Sequence, residues 1–213
     1  MNGVRAVISD FGGVLTTPLL HSFAAFQDTT GIAPEQLAVA MQVVAERDGE
    51  HPLFALEKGE IAEVTFLERV AAQLEPQLGH PPEMHRFSEI YFDALEPNPP
   101  MIELMRRSRA SGKRMALLTN NVREWEPLWR SMLPVDEIFE LVVDSAFVGM
   151  RKPDRAIYEL TLERLGEGIE PGECLFVDDV AVNVETAREL GMSAVHFRAN
   201  EQAIPEIEAS LAG

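Results

Sequence analysis

An aspartate followed by two glycines stands at the end of the first apolar run of the chain. Residues 7–9 lead into Asp10, and Gly12 and Gly13 come shortly after it. The carboxyl ends of strands are where open α/β sheets form their ligand crevices. Glycines at such a point let the backbone approach a ligand closely. The pattern therefore predicts a catalytic carboxylate, with an ordinary strand that ends in a turn as the alternative.

Three later positions carry polar residues that suit phosphate chemistry. Thr119 and Asn120 end an apolar stretch, where they either bind an anion with the free backbone N–H groups or cap a helix. Lys152 precedes a proline just before a helix, as a positioned cation or as a solvated loop lysine. Asp178 and Asp179 end another apolar strand, and adjacent carboxylates raise each other's pKa unless a cation lies between them. This pair favours a metal site.

The elements that must position these residues alternate between strands and helices. We predict strands over 6–9, 115–118, 141–143, 175–177 and 194–197, and helices over 122–131, 155–165 and 184–190. This alternation predicts an α/β fold with a parallel sheet. Right-handed crossovers make such a sheet doubly wound, with helices on both faces.

The region between the first strand and residue 97 breaks the alternation, because it contains helical patterns and no convincing strand. We predict helices over 19–28, 34–47, 61–74 and 84–95, with Pro34 and Pro82 at helix starts. Segment 96–100 holds three prolines and is expected to be a non-helical strut. The predicted domains are a core of residues 1–16 and 97–213 and an inserted helical cap of residues 17–96.

Composition and charge narrow the class of protein. The 213 residues are 46% hydrophobic and 25% charged, as in an ordinary globular protein. The net charge of −17 disfavours nucleic acid and anionic membranes as partners. No apolar run approaches the roughly 20 residues of a membrane span, and we expect no signal peptide. Cys174 is expected to be buried, and the cytoplasm is the expected compartment.

Together, Asp10, Thr119, Lys152 and the Asp178-Asp179 pair match the four motifs of the haloacid dehalogenase superfamily. The chain is identified as a member of its subfamily I, whose C1 cap the helical insert resembles. Residues 56–61 resemble the cap loop that dips into the active site. The chain is most similar to the bacterial α-D-glucose-1-phosphate phosphatases and to the N-terminal phosphatase domain of soluble epoxide hydrolase. The resemblance implies a phosphatase that acts on a small phosphorylated metabolite, with sugar phosphates as candidates, as a monomer or homodimer.

The resemblance also implies roles in phosphoryl transfer. Asp10 attacks phosphorus and forms an aspartyl-phosphate, which divides one difficult step into two. Thr119 and Asn120 bind the phosphoryl oxygens, together with the backbone at Gly12. Lys152 neutralises the charge that accumulates on the nucleophile and the phosphoryl group.

The same resemblance implies Mg²⁺ as cofactor, since this ion prefers oxygen ligands. Its expected ligands are the Asp10 side chain, the Gly12 carbonyl and Asp179, with Asp178 as a direct or indirect ligand. Asn183 is expected near the phosphate, where it orients either the lysine or the acidic pair.

Position 12 departs from the superfamily pattern, which usually has a second aspartate there as general acid and base. Such help is worth about 10²–10⁴ in rate. Three explanations stay open: water or one of His21, His51 and Glu57 supplies the proton, the leaving group needs little protonation, or turnover is poor.

Two other functions of the protein also stay open. One is a 2-haloacid dehalogenase-type hydrolase, which needs no metal, and the other is a weakly active phosphometabolite-binding module.

Overall fold

The computed structural model describes residues 3–166 and 168–213 and contains a five-stranded parallel sheet. The first two residues of the predicted core lie outside the described residues. The strands are β1 (Ala6–Ser9), β2 (Arg114–Thr119), β3 (Leu141–Asp144), β4 (Cys174–Asp178) and β5 (Ser193–His196). Their order is β3-β2-β1-β4-β5. The chain therefore moves outward on one side of β1 and then crosses to the other, a reversal that places a crevice at the carboxyl end of β1.

Both faces of the sheet are covered, because alternate strand residues enter two different hydrophobic clusters. Val7 and Leu117 belong to the cluster that also contains the cap, whereas Ile8 and Leu118 belong to the cluster on the opposite face. Strands buried on both faces need continuous apolar runs, as this sequence has. The predicted α/β class with a doubly wound parallel sheet is confirmed, as is the burial of Cys174.

The register aligns the ends of the strands that carry the predicted motifs. Ser9 pairs with Leu117 on one side and with Val177 on the other. Asp10 and Asp178 therefore leave the sheet at the same level on neighbouring strands. Parallel pairing thus brings together residues that are 168 positions apart in the chain.

Five helices follow β1 and form the cap. They are α1 (Leu20–Thr30), α2 (Pro34–Asp48), α3 (Pro52–Glu57), α4 (Glu63–Leu78) and α5 (Phe87–Asp93). Four of them match the predicted helices, whereas the short α3 was not predicted. The prediction that Pro82 starts a helix is wrong, because α5 begins at Phe87. Thr16 and Pro97 form an isolated antiparallel bridge where the chain enters and leaves the cap. The domain boundaries of the core and the cap stay a prediction.

Seven α-helices lie outside the cap in the part of the chain that the structure describes. They are α6 (Pro99–Ala110), α7 (Glu126–Ser131), α8 (Val135–Ile138), α9 (Ser145–Val148), α10 (Arg155–Leu165), α11 (Ala181–Glu189) and α12 (Asn200–Ala212). Among the helices of residues 3–166 and 168–213, none has the length and apolar character needed to cross a membrane.

The expectation that segment 96–100 is wholly non-helical is wrong, because α6 starts at Pro99. The first N–H groups of a helix have no acceptor within the helix, so prolines at the first two positions remove no hydrogen bond. Asn98, which precedes them, keeps a non-helical backbone at the N-cap position, although its side chain makes no capping hydrogen bond. Proline therefore starts this helix, although the same residue would interrupt a helix interior.

Candidate active site

A buried lysine lies between two carboxylates at the carboxyl edge of the sheet. The Lys152 Nζ is 2.8 Å from Oδ1 of Asp10 and 2.7 Å from Oδ2 of Asp178. The side chains of Lys152 and Asp178 are 1% and 0% exposed. Burial lowers the pKa of Lys152, but the charges of both aspartates and hydrogen bonds to them outweigh this effect and raise it. Lys152 is therefore held as a charged ammonium.

Asp10 lies in an environment that is short of positive charge. The pKa of Asp10 is raised to about 7, because burial and the charges of Asp178 and Asp179 outweigh the opposite effect of Lys152. Oδ1 accepts a hydrogen bond from the Phe11 N–H at 2.7 Å as well as contacting the lysine. Both of these contacts fall on Oδ1, so Oδ2 is the oxygen that would attack in the predicted reaction.

Three carboxylates gather where the sequence predicted a cation. One oxygen from each of Asp10, Asp178 and Asp179 lies within 4.8 Å of the others. With the single ammonium of Lys152, the formal charge of the group is 1 − 3 = −2. Oxygen donors and this charge fit Mg²⁺, the predicted cofactor, which would offset the mutual repulsion of the carboxylates.

Backbone geometry at Gly13 makes room for this cluster. Gly13 has a φ of 74°, and a Cβ built there would lie 2.2 Å from Oδ2 of Asp179. Only glycine combines that conformation with so close an approach. The glycine pair of the first motif thus holds the chain against the acidic pair from β4. Ligation by the Gly12 carbonyl stays a prediction.

Asp178 is surrounded by hydrogen-bond donors. The Asn183 Nδ2 donates to both of its carboxylate oxygens, at 3.0 and 3.1 Å, and the Val180 N–H donates to Oδ1 at 2.8 Å. Lys152 occupies Oδ2 as well. These contacts favour an indirect role for Asp178, which positions the lysine. They also favour an orienting role for Asn183, whose predicted contact with phosphate stays a prediction.

Thr119 and Asn120 lie at the end of β2, but their side chains differ in what they contact. The Asn120 Nδ2 donates to the Lys152 carbonyl at 2.9 Å, and its Oδ1 accepts from the Lys152 N–H at 2.8 Å. The Asn120 side chain therefore fixes the lysine loop. Thr119 is buried and lines a cavity under the cap. Binding of phosphoryl oxygens by this pair stays a prediction.

The cap carries Glu57, which was predicted as a possible proton donor, and it contacts Arg151, for which no role was predicted. Oε2 of Glu57, the last residue of α3, is 2.7 Å from Nε of Arg151, which precedes Lys152. The Arg151 guanidinium also lies 3.9 Å from the centre of the Phe54 ring. Burial raises the pKa of Glu57, while Arg151 and Lys152 lower it. The sequence signal that could have identified Arg151 is its position directly before Lys152. Its ion pair with Glu57 could not be predicted from the sequence.

Two cavities meet at this point. A cavity of about 670 Å³ is lined by Asp10, Lys152 and Asp179, and a smaller one of about 200 Å³ lies under the cap. Four residues line both cavities and are called the neck below: Gly12, Leu19, Glu57 and Asn120. Of the proton-donor candidates, Glu57 belongs to the neck, while His21 is exposed and His51 lines neither cavity.

Comparison with known sequences adds independent evidence. The chain is 32% identical to acyl-CoA dehydrogenase family member 10 of Mus musculus, over 97% of this chain and 19% of that protein. It is 30% identical to bifunctional epoxide hydrolase 2 of Sus scrofa, over 96% of this chain and 38% of that protein. The chain thus spans well under half the length of both. It is 29% identical to a glyceraldehyde 3-phosphate phosphatase of Methanopyrus kandleri, over 79% of this chain and 69% of that protein.

Solved structures share the fold. The magnesium complex of a HAD family enzyme from Bacteroides thetaiotaomicron has a TM-score of 0.71 and 22% identity, covering 97% of this chain and 99% of that chain. The L-2-haloacid dehalogenase from Xanthobacter autotrophicus has a TM-score of 0.62 and 21% identity, covering 97% and 83%. The family model for haloacid dehalogenase-like hydrolases matches residues 4–191. The chain belongs to the haloacid dehalogenase-like hydrolase family.

Proposed function

We propose that this hydrolase is a Mg²⁺-dependent phosphatase that cleaves a phosphate monoester through an aspartyl-phosphate at Asp10. The observation that carries the proposal is the group of three carboxylates within 4.8 Å around a single buried ammonium. Two comparisons support the proposal. One solved structure with a similar fold is a magnesium complex, and one relative is named as a phosphatase. When bound, Mg²⁺ supplies positive charge that stabilises the transferring phosphoryl group.

The proposed reaction has two steps. Oδ2 of Asp10 attacks phosphorus, the bond from phosphorus to the ester oxygen breaks, and the leaving oxygen takes a proton. Water then attacks the phosphorus, gives up a proton, and releases inorganic phosphate and the free Asp10 carboxylate. Lys152 offsets the negative charge in both steps, and Asp178 and Asn183 keep it in place. Electrostatic stabilisation of this kind dominates phosphoryl transfer.

A dehalogenase is the second candidate, because one of the solved structures with this fold is a haloacid dehalogenase. The position of Asp179 argues against it. A reaction that needs no metal gains nothing from a third carboxylate beside Asp10 and Asp178, since the added charge raises the pKa of the nucleophile. A weakly active binding module is the third candidate, and only Gly12 favours it.

Phosphate release from 4-nitrophenyl phosphate tests the proposal directly. We expect turnover with Mg²⁺, none in excess chelator, and no chloride release from 2-chloropropionate. Asp10→Asn should retain at most a few per cent of the activity, because an amide cannot form the aspartyl-phosphate. Full activity in chelator, or turnover of the chloroacid, would favour the dehalogenase. Turnover of neither substrate would favour the binding module.

The remaining expectations about this protein stay predictions. They are a small-molecule partner, no nucleic acid or membrane partner, a monomeric or homodimeric state, and a cytoplasmic location.

A further inference from the structure

We propose that the cavity under the cap binds the organic group of the substrate and that this group is apolar. The substrate would then be the phosphate monoester of an alkyl or aryl alcohol and not a sugar phosphate. This inference rests on the proposed phosphatase function and names the substrate class of the same site.

The lining of the cavity is the first argument. Helices of the cap and the turn before α7 line it with large apolar side chains: Phe23, Met41, Phe66, Phe87, Phe92 and Trp125. The polar residues of the lining are Glu57, Tyr91, Thr119, Asn120 and Asn121, and two of them, Glu57 and Asn120, also line the cavity that contains Asp10. A sugar in this cavity would bury hydroxyl groups beside side chains that cannot pair with them, which is unfavourable. An alkyl or aryl group would meet a mostly apolar surface.

The size of the cavity is the second argument. Protein interiors are closely packed, and few voids exceed one water molecule. A space of about 200 Å³ between the cap and the core is therefore not an ordinary packing defect. An apolar cavity of about 150 Å³ accommodates benzene. This cavity suits an alkyl or aryl group of about six to eight carbons.

The third argument is the contact between Gly12 and Leu19 in the neck. A Cβ built on Gly12 would lie 3.1 Å from one methyl group of Leu19 and 3.6 Å from the other. Leu19 thus occupies the space beside the position where the superfamily pattern has its second aspartate. The apolar wall of the cavity therefore continues as far as Gly12, two residues after Asp10. The absence of a carboxyl group at position 12 and the apolar cavity are therefore two parts of one arrangement.

The test uses the purified chain with Mg²⁺ and a series of monoalkyl phosphates from methyl to hexyl, with glucose 1-phosphate for comparison. Each methylene that enters the cavity should raise kcat/KM by about fourfold. Met41→Glu places a charge in the cavity wall on α2 and should flatten this dependence. Val39→Glu lies on the same helix, is 54% exposed and lines neither cavity, so it should preserve the dependence.

Binding of phosphonates, which are not hydrolysed, separates this inference from the proposed function. Calorimetric titration should show that hexylphosphonate binds much more tightly than methylphosphonate, and that Met41→Glu removes the difference. A flat alkyl series, or a higher kcat/KM for glucose 1-phosphate than for hexyl phosphate, would overturn the apolar substrate while leaving a phosphatase. If no ester is hydrolysed, the proposed function fails, and equal binding of the two phosphonates would then reject the apolar site as well.

Discussion

The side-chain amide of Asn120 forms two hydrogen bonds with the backbone of Lys152, one through each of its polar atoms. The pair connects the end of β2 to the loop that carries Lys152. Because the Lys152 side chain spans two carboxylates, its backbone must be held in one place. Asn120 therefore acts as a positioning residue in addition to any contact with phosphate.

We expect Asn120→Ala to lower kcat by roughly 10–100-fold, because displacement of a catalytic group by about 1 Å can cost 10²-fold. The assay is phosphate release, with thermal unfolding as a check on folding. Asn200→Ala is a matched control, since Asn200 and Asn98 also exchange two side-chain hydrogen bonds, but outside both cavities. An equal loss of kcat in both variants would contradict a specific role for Asn120.

The second prediction concerns metal binding. Mg²⁺ should raise the free energy of unfolding, by about 2.7 kcal/mol at 100 times its Kd, because it binds only the folded cluster. Asp179→Ala should abolish this stabilisation together with activity, because it removes an oxygen donor from the group of three. Asp136→Ala, an exposed aspartate, should retain both properties. Thermal unfolding in Mg²⁺ and in chelator measures the effect, and equal stabilisation of Asp179→Ala would exclude that residue as a ligand.

The third prediction concerns the proton that the leaving group needs. Glu57 is the proton-donor candidate that lies in the neck, and burial favours its protonated form. We expect Glu57→Gln to slow alkyl phosphates by about 10² or more, the range of general acid catalysis, and to slow 4-nitrophenyl phosphate much less. Glu60→Gln, an exposed carboxylate on the same loop, is the control. Equal losses on both classes of ester would assign Glu57 to holding Arg151 only.

The residues that form the acidic group could be predicted from the sequence, because Asp10 and the Asp178-Asp179 pair directly follow apolar strands. Parallel pairing then brings strand ends together regardless of the sequence between them. The neck was predicted only in part: Gly12 and Asn120 were expected at the site, and Glu57 was a proton-donor candidate in the segment that resembles the cap loop. Leu19 was not predicted, because it reaches the site only through the packing of the cap on the core, which leaves no local signal. The prediction that segment 96–100 is non-helical was wrong for a different reason, because proline at Pro99 is compatible with the first turn of a helix.

A further strand-end carboxylate, Asp144, was also missed and gives the fourth prediction. Its Oδ1 accepts a hydrogen bond from the Ala146 N–H at 3.0 Å and caps α9. Among the described residues, its buried Oδ2 has no hydrogen-bond partner. Burial raises the pKa of Asp144 to about 6. The ionised form is therefore less favourable in the folded protein than in the unfolded chain, where the pKa is about 3.9.

The direction of this pKa shift determines how the stability of the folded protein depends on pH. The stability that protonated Asp144 contributes is complete below about pH 4 and is lost as the pH rises through about 6. Asp144→Asn keeps the cap acceptor without the charge, so it should be more stable than the original protein by roughly 1–3 kcal/mol at pH 8. Denaturant unfolding between pH 5 and pH 8 measures the difference, with the exposed Asp28→Asn as control. A difference that shrinks as the pH rises would contradict the burial argument.

The last prediction returns to position 12. Gly12 is not among the glycines with positive φ, so its backbone tolerates a side chain. The obstacle to Gly12→Asp is Leu19, because 3.1 Å is shorter than the favourable carbon–carbon separation of about 3.5–4.0 Å. Gly12→Asp combined with Leu19→Ala should therefore accelerate the cleavage of alkyl phosphates more than either single change does. Aryl phosphates should gain little, because their leaving groups need no proton. The dependence of kcat/KM on leaving-group pKa measures this in all four proteins. If Gly12→Asp alone performs as well as the double variant, Leu19 does not restrict position 12, and the link between the apolar wall and the missing carboxyl group fails.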